Sequence, residues 1–159
     1  NYYIELSGTI KIFHFKDSYI MKKKTNLPPL MAEKVSAGFP SPAQQYLESP
    51  LDLNELMVPH PAGTYFVRVD GDSMINAGIH HNDILVVDCT LDPANGSIVV
   101  ACVNGEALVK YFRRDRNGVR LEAANPAYLP IRFSDGMTLE IFGVVTGVIR
   151  QVVQLRKIS

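Results

Sequence analysis

The feature of this sequence that most limits the possible folds is a series of short apolar runs, rich in β-branched and aromatic residues, between residues 65 and 149. Turn residues divide the runs, which lie at 65–69, 84–88, 98–103, 107–112, 119–123 and 139–149. Such runs favour strands, and no segment has a helical period long enough to form a second layer. The sequence therefore predicts a mainly β, antiparallel body.

Four short segments predict turns and helix starts. Asn104-Gly105 and Asn117-Gly118 each lie between two predicted strands. Both pairs tolerate positive φ, which predicts hairpins. Ser41-Pro42-Ala43-Gln44 has the hydroxyl, proline and glutamine of a helix start, so a short helix is expected from Ser41 to about Leu47. Asp52-Leu53-Asn54-Glu55 predicts a second brief helical turn.

Composition excludes several classes of protein. The 159 residues include 16 basic and 16 acidic side chains, so no whole-molecule field draws the protein onto nucleic acid or lipid. No apolar stretch approaches the ~20 residues of a membrane helix, and we expect a cytoplasmic protein. Cys89 and Cys102 are typical of reduced, buried thiols rather than of a disulfide framework. We expect neither a cofactor nor a metal site.

The first 38 residues differ from the rest. Strand-like alternation near the start is broken by Lys22-Lys23-Lys24 and then by Pro28-Pro29. This pattern predicts a loosely held N-terminal arm, of which residues 1–20 are a possible extension.

Gly71-Asp72-Ser73-Met74 follows the first predicted strand directly. Glycine and aspartate are common turn residues, so the segment by itself is typical of a turn. A nucleophilic serine also needs a base. None of the histidines has a recognisable triad context or the spacing of a known metal site: His14, His60, His80 and His81.

Lysine is the other side chain that can act as the base. Period-two alternation places Lys110 on the same strand face as Leu108 and Phe112. Burial among apolar neighbours disfavours the ammonium, and lowering its pKa by ~3 units would leave a substantial neutral fraction near physiological pH. A neutral amine can accept the proton of Ser73. The alternative is a lysine at a sheet edge whose ammonium reaches water.

The junction between arm and core, residues 35–42, contains Ala37-Gly38 and two prolines. By composition it is an extended linker. An extended segment can also add as a strand to a sheet edge, as peptides do in proteases. Ala37 and Gly38 are small enough to let a nucleophile approach the carbonyl between them.

Together these features resemble the UmuD and LexA family of self-cleaving proteins over about residues 35–150. An Ala-Gly bond, a serine and a lysine occur in order, with 37 positions from Ser73 to Lys110. The remaining motifs that carry the resemblance are Ser36-Ala37-Gly38-Phe39-Pro40-Ser41-Pro42-Ala43, Gly71-Asp72-Ser73-Met74, Asp83-Ile84-Leu85-Val86-Val87-Asp88, Gly96-Ser97-Ile98-Val99-Val100-Ala101 and Phe142-Gly143-Val144-Val145.

The resemblance implies a strongly bent, antiparallel LexA/signal-peptidase-like β fold with one or two short helices. It implies that Ser73 is the nucleophile, that Lys110 is the general base and that the Ala37-Gly38 bond is cut. Backbone N–H groups of Ser73 and Met74 would stabilise the oxyanion. Residues 1–37 would be the arm removed by self-cleavage, and 38–159 the peptidase-like core that dimerises.

The resemblance also implies partners. A RecA filament on single-stranded DNA is expected to promote cleavage during the SOS response. The trimmed homodimer is then expected to join a UmuC-type polymerase for translesion synthesis. An uncharged chain without a DNA-binding motif agrees with action through proteins rather than by direct, sequence-specific DNA binding.

Two alternatives remain at this stage, and a third is disfavoured. The chain would be the cleavable C-terminal domain of a LexA-like or phage-type repressor if a DNA-binding domain preceded it, although residues 1–38 lack the length and period of three packed helices. It would be a non-catalytic polymerase accessory if the serine and lysine were vestigial. A leader peptidase is disfavoured because the sequence has no apolar stretch that could form a membrane anchor.

Overall fold

The computed structural model describes residues 27–31 and 47–153. These residues fall into two compact units, one within Asp17–Pro59 and one that includes everything from His60 onward. Among the described residues, no helix has both the length and the apolar character needed to cross a membrane.

The described part of the first unit is small. It contains an antiparallel pair of strands, β1 (Pro29–Met31) and β2 (Leu47–Pro50), and one helix, α1 (Leu53–Met57). Asp52 caps α1 by accepting a hydrogen bond from the Asn54 amide at 2.8 Å, which confirms the helical turn predicted at 52–55. The earlier predicted helix lies outside the described residues except for Leu47, which begins β2.

The second unit is one antiparallel sheet, which confirms the predicted mainly β class. Its seven strands have the order β3-β4-β9-β5-β6-β7-β8. Their bounds are β3 Thr64–Arg68, β4 Ile84–Asp88, β5 Ile98–Val103, β6 Glu106–Asp115, β7 Gly118–Glu122, β8 Ile131–Arg132 and β9 Leu139–Ile149. Three of the predicted runs coincide with strands residue for residue, because each is a mostly apolar run that is bounded by turn residues.

Both predicted hairpins form, but with different turns. Between β5 and β6, Asn104 and Gly105 have φ of 50° and 90°, as a two-residue turn of the predicted kind requires. Between β6 and β7, Asp115 pairs with Gly118, and of the predicted Asn117-Gly118 pair only Gly118 has positive φ, at 107°. The expectation of positive φ at Asn117 was therefore wrong, because the turn is centred one residue earlier.

The described residues form two core clusters, one on each side of strands that are buried on both faces. One cluster contains Leu85 and Val87 of β4 and Val100 of β5, and the other contains Val99 and Ala101 of β5. Continuous apolar runs, rather than alternating ones, are what such strands need. Met74 and Ile79, from the segment after β3, are buried in the first cluster and fix that segment to the sheet.

Buried carboxylates lie next to and at the end of β4. Asp83 accepts hydrogen bonds from Arg150 at 2.6 and 2.5 Å, and this pairing holds its pKa below the ordinary value. Asp88 accepts from the Thr90 hydroxyl at 2.6 Å and lies 2.6 Å from His60 Nδ1, and these bonds likewise lower its pKa. Hydrogen bonds that stabilise the ionised carboxylates offset the free-energy cost of burying them.

Candidate active site

The segment after β3 carries the candidate nucleophile in a tight turn. Gly71 has φ of 89°, which an L side chain rarely adopts, and the Ile75 amide donates to the Asp72 carbonyl at 3.1 Å. A single 3₁₀ turn, Ile75–Ala77, follows. Ser73 stands between exposed Asp72 and buried Met74, so the buried methionine anchors the serine from one side.

The structure brings Lys110 to this turn. Lys110 lies in the middle of β6 and is only 8% exposed. Its Nζ donates to Ser73 Oγ at 2.7 Å and to its neighbour's carbonyl, Val109 O, at 3.0 Å. Burial removes the ammonium from water and thereby lowers the pKa of Lys110. The alternative of a sheet-edge lysine whose ammonium reaches water is thus ruled out, because the amine is turned inward onto the serine.

A cavity of about 240 Å³ lies beside the pair. Its wall combines the end of β3, the start of β6 and Val100 with the Ser73 turn. The apolar members are Val67, Val69, Met74, Val100, Ala107, Leu108 and Val109, and the charged members besides Lys110 are Arg68 and Asp70. The serine and lysine therefore face a space in which a peptide bond can be placed against Oγ.

Two residues beside the pair, Asn125 and Tyr128, carried no signal in the sequence. Tyr128 donates its hydroxyl to Asp72 Oδ1 at 2.6 Å, and its ring centroid lies 5.8 Å from Lys110 Nζ. Asn125 donates from Nδ2 to the Asp72 carbonyl at 3.2 Å. Asp72 and Tyr128 are 56 positions apart, and no local pattern indicates such a contact.

The backbone amides predicted to hold an oxyanion are those of Ser73 and Met74. Neither N–H group donates a hydrogen bond to another of the residues that the structure describes. An oxyanion site needs such backbone donors beside the nucleophile. The predicted cleavage site, Ala37-Gly38, lies outside the described residues, as does His14.

The other candidate residues lie apart from the pair. His60 bonds Asp88, His81 Nδ1 lies 3.1 Å from Asp70, and His80 Nδ1 lies 3.1 Å from the Gly78 carbonyl. In residues 27–31 and 47–153, no group of three or more His, Cys, Asp or Glu side chains is placed to hold a metal ion.

Both cysteines are free, as predicted, but only one is buried. Cys102 lies in the interior of β5, whereas Cys89 is exposed. The expectation that Cys89 is buried was wrong, because Cys89 follows the last residue of β4, where the chain leaves the core.

Comparison with known proteins now defines the class. The profile of the family described as Peptidase S24-like matches residues 29–146. Protein SamA of Salmonella typhimurium strain LT2 is 45% identical over 123 residues, which cover 77% of this chain and 85% of SamA. Protein ImpA of Escherichia coli is 40% identical over 141 residues, covering 88% and 90% of the two chains. A LexA repressor of Ectopseudomonas mendocina is 41% identical over 119 residues, covering 74% of this chain and 58% of the repressor.

With its β fold and this match, the chain belongs to the Peptidase S24-like family, whose members are in general serine–lysine self-cleaving peptidases. Similarity to SamA and ImpA over most of its length identifies it, within that family, as a UmuD-like protein. The resemblance drawn from the sequence is confirmed at this level, and with it a general link to the SOS response.

Proposed function

We propose that this protein is a self-cleaving serine endopeptidase in which Ser73 is the nucleophile, Lys110 the general base and Ala37-Gly38 the bond cut. The observation that carries the proposal is the 2.7 Å contact between Oγ and a lysine amine that is 8% exposed. A buried amine with a lowered pKa is neutral in a larger fraction of molecules, and only the neutral form accepts a proton.

The chemistry proceeds in two balanced steps. Neutral Lys110 takes the hydroxyl proton as Ser73 Oγ attacks the Ala37 carbonyl carbon, and the amides of Ser73 and Met74 bind the oxyanion. The C–N bond then breaks, and the Lys110 ammonium returns the proton to the Gly38 amine. In the second step water attacks the acyl ester, Lys110 again accepts and returns a proton, and Ser73 is released with an Ala37 carboxylate.

The division of the chain follows from this chemistry. Residues 1–37 are the arm that is removed, with 1–20 a possible extension, and residues 38–159 are the core that forms a homodimer. Cleavage is then limited by how often the arm occupies the cavity while Lys110 is neutral. A partner need only shift that population, without adding a group to the site.

The proposed setting is the cytoplasmic SOS response. A RecA filament on single-stranded DNA promotes the cut, and the trimmed dimer joins a UmuC-type polymerase in translesion synthesis. Membership among UmuD-like proteins supports these partners. The formal net charge of zero agrees with contacts through proteins rather than direct, sequence-specific binding of DNA.

The test is the mass of the products. Purified protein is incubated alone at alkaline pH, and in parallel with RecA, single-stranded DNA and a nucleotide analogue at neutral pH. We expect a fragment beginning at Gly38 in both. Ser73→Ala and Lys110→Ala should each abolish it, whereas Ser134→Ala and Arg114→Ala, at exposed positions, should not. Cutting by purified Ser73→Ala, or intact wild-type protein under every condition, overturns the proposal.

The second candidate is the cleavable domain of a repressor. The 41% identity to a LexA repressor supports it, and 58% of that repressor is covered. The two functions share the same cleavage chemistry and differ in DNA binding. Sequence-specific binding of operator DNA by the complete gene product, lost on cleavage, would favour the repressor; binding of a UmuC-type polymerase by the trimmed core would favour the polymerase subunit.

A further inference from the structure

The segment from Ala124 to Tyr128, here called the Tyr128 segment, is bound to the nucleophile turn at several points. The Asn76 amide donates to the Ala124 carbonyl at 2.9 Å, on one side of Ser73. On the other side, the Asn125 amide nitrogen donates to the Asp72 carbonyl at 3.2 Å and the Tyr128 hydroxyl to Asp72 Oδ1 at 2.6 Å. These bonds bracket Ser73 in sequence.

The same segment covers the lysine. The Tyr128 ring centroid lies 5.8 Å from Lys110 Nζ. Tyr128 is 43% exposed while Lys110 is 8% exposed, so the ring takes the solvent-facing position above the amine. One side chain thus links Lys110, which lies over its ring, to the turn that carries Ser73, where its hydroxyl bonds Asp72.

We propose that Tyr128 is a positioning residue for the Ser73–Lys110 pair. Its ring excludes water from the lysine amine, and the hydrogen bond from its hydroxyl to Asp72 holds the ring and the serine turn in fixed positions relative to each other. The kinetic consequences of this inference rest on the proposed function. The positioning role itself is argued from the contacts around Asp72 and Lys110.

Two effects of the ring on Lys110 oppose each other. A π face favours the ammonium, whereas exclusion of water disfavours it. At 5.8 Å the ring is near the ~6 Å limit for cation–π attraction, and burial is the cause of the lowered lysine pKa, so exclusion of water should dominate. The charged groups that share the cavity wall with Lys110 are Arg68 and Asp70, and Asp72 accepts the hydrogen bond from Tyr128.

The hydrogen bond to the Asp72 carboxylate raises the pKa of Tyr128 above its ordinary value, whereas burial lowers the pKa of Lys110. The phenol therefore keeps its proton, and remains a donor, to a higher pH than an ordinary tyrosine. The Tyr128 hydroxyl is bonded to Asp72, and the Lys110 amine is the group bonded to Ser73.

The kinetic test compares Tyr128→Ala and Tyr128→Phe with Leu129→Ala, a neighbouring control at a side chain that is 87% exposed. The rate of self-cleavage is measured against pH. Tyr128→Ala should raise the midpoint by about one pH unit, which slows cleavage about tenfold at neutral pH. Tyr128→Phe keeps the ring and should lower the plateau rate with little change in midpoint. Leu129→Ala should match the wild type. An equal loss at every pH in Tyr128→Ala, with an unchanged midpoint, overturns the proposal.

A second measurement does not depend on cleavage. The pKa of Lys110 is followed by NMR of its ¹³C-labelled ε carbon in Ser73→Ala and in Ser73→Ala/Tyr128→Ala, with thermal unfolding as a check on folding. A higher lysine pKa in the double variant supports the positioning role even if the wild type never cuts itself, in which case only the proposed function fails. An unchanged pKa overturns the positioning role whether or not cleavage occurs. If the alanine variants do not fold, Tyr128→Phe decides, since a wild-type plateau rate contradicts the tether to Asp72.

Discussion

Lys110 Nζ lies 2.7 Å from Ser73 Oγ although their supporting strands, β6 and β3, are four steps apart in the sheet order. Four steps of a flat sheet would separate the strands by about 19 Å. The segment after β3 closes this gap by returning across the sheet face, where Met74 is buried in one cluster with Val100 of β5. The contact is thus made by packing rather than by strand pairing.

Self-cleavage without any partner should accelerate as pH rises. The lowered pKa of Lys110 means that the active, neutral amine accumulates below the ordinary lysine value of about 10.4. The rate should therefore increase through a midpoint below that value and then level off. The measurement is the yield of the Gly38 fragment against time across a pH series, with circular dichroism to verify folding. A rate that is flat from neutral to alkaline pH contradicts a lysine base.

Lys110→Met should stabilise the fold at neutral pH while abolishing cleavage. Burial lowers the pKa of Lys110 in the folded state, so below that pKa the buried ammonium reduces the free energy of unfolding. This destabilisation diminishes as pH rises from the folded-state pKa to the ordinary lysine pKa. We expect Tm to rise by roughly 2–4 °C at pH 7, as for a gain of about 1 kcal/mol, and the gain to shrink at alkaline pH. Arg116→Met, at an exposed basic residue, is the control; a fall in Tm would contradict the reasoning.

Arg150→Ala should destabilise the protein by leaving the buried Asp83 carboxylate without its main partner. The Asp83 side chain is 1% exposed, and Arg150 is the first cause of its lowered pKa. We expect Tm to fall by roughly 4–8 °C at pH 7. In the wild type this stabilisation is present at neutral pH and is lost as acid protonates Asp83, so the difference between the two proteins should narrow at low pH. Arg68→Ala, an exposed arginine, should have little effect; an equal loss there would refute the assignment.

Gly143→Ala should be more costly than an ordinary glycine substitution. A Cβ at Gly143 would lie 2.8 Å from the Asp88 carbonyl oxygen and 3.0 Å from its carbon, and this backbone belongs to β4, which is paired on both sides. We expect a loss of about 3 kcal/mol in urea unfolding. Gly136→Ala tests conformational strain alone, since φ is +88° there and no atom lies within 4 Å, and should cost about 1 kcal/mol. Equal losses in the two variants would exclude the close approach as the cause.

Strand positions could be predicted closely because their signals are local. The apolar runs at 84–88, 98–103 and 139–149 became β4, β5 and β9 with the expected bounds. The sixth strand was underestimated: β6 continues to Asp115, beyond the predicted end at Phe112. In this extension, Arg113 forms an ion pair with Glu122 of β7, with 2.9 Å between the charged atoms. The charged residues of the extension gave no strand signal in the sequence.

The candidate site likewise has features that local sequence signals predicted and features that they did not. The serine in its turn and the lysine in its strand could be named from residue types and from their family-like spacing. Their contact, the exposure of Cys89 and the roles of Asn125 and Tyr128 around Asp72 could not. Each of these depends on which face of the sheet a returning segment covers.

By itself, the sequence determined the class of fold, the order of its strands along the chain and the two side chains proposed for proton transfer and attack. These properties follow from side-chain shape, polarity and period, which act over a few neighbouring residues. Only the tertiary structure decided that the Lys110 amine is buried, that it reaches the Ser73 hydroxyl and that a tyrosine covers it. Such contacts join residues 37 and 56 positions apart, and they arise from packing of the whole core rather than from any local preference.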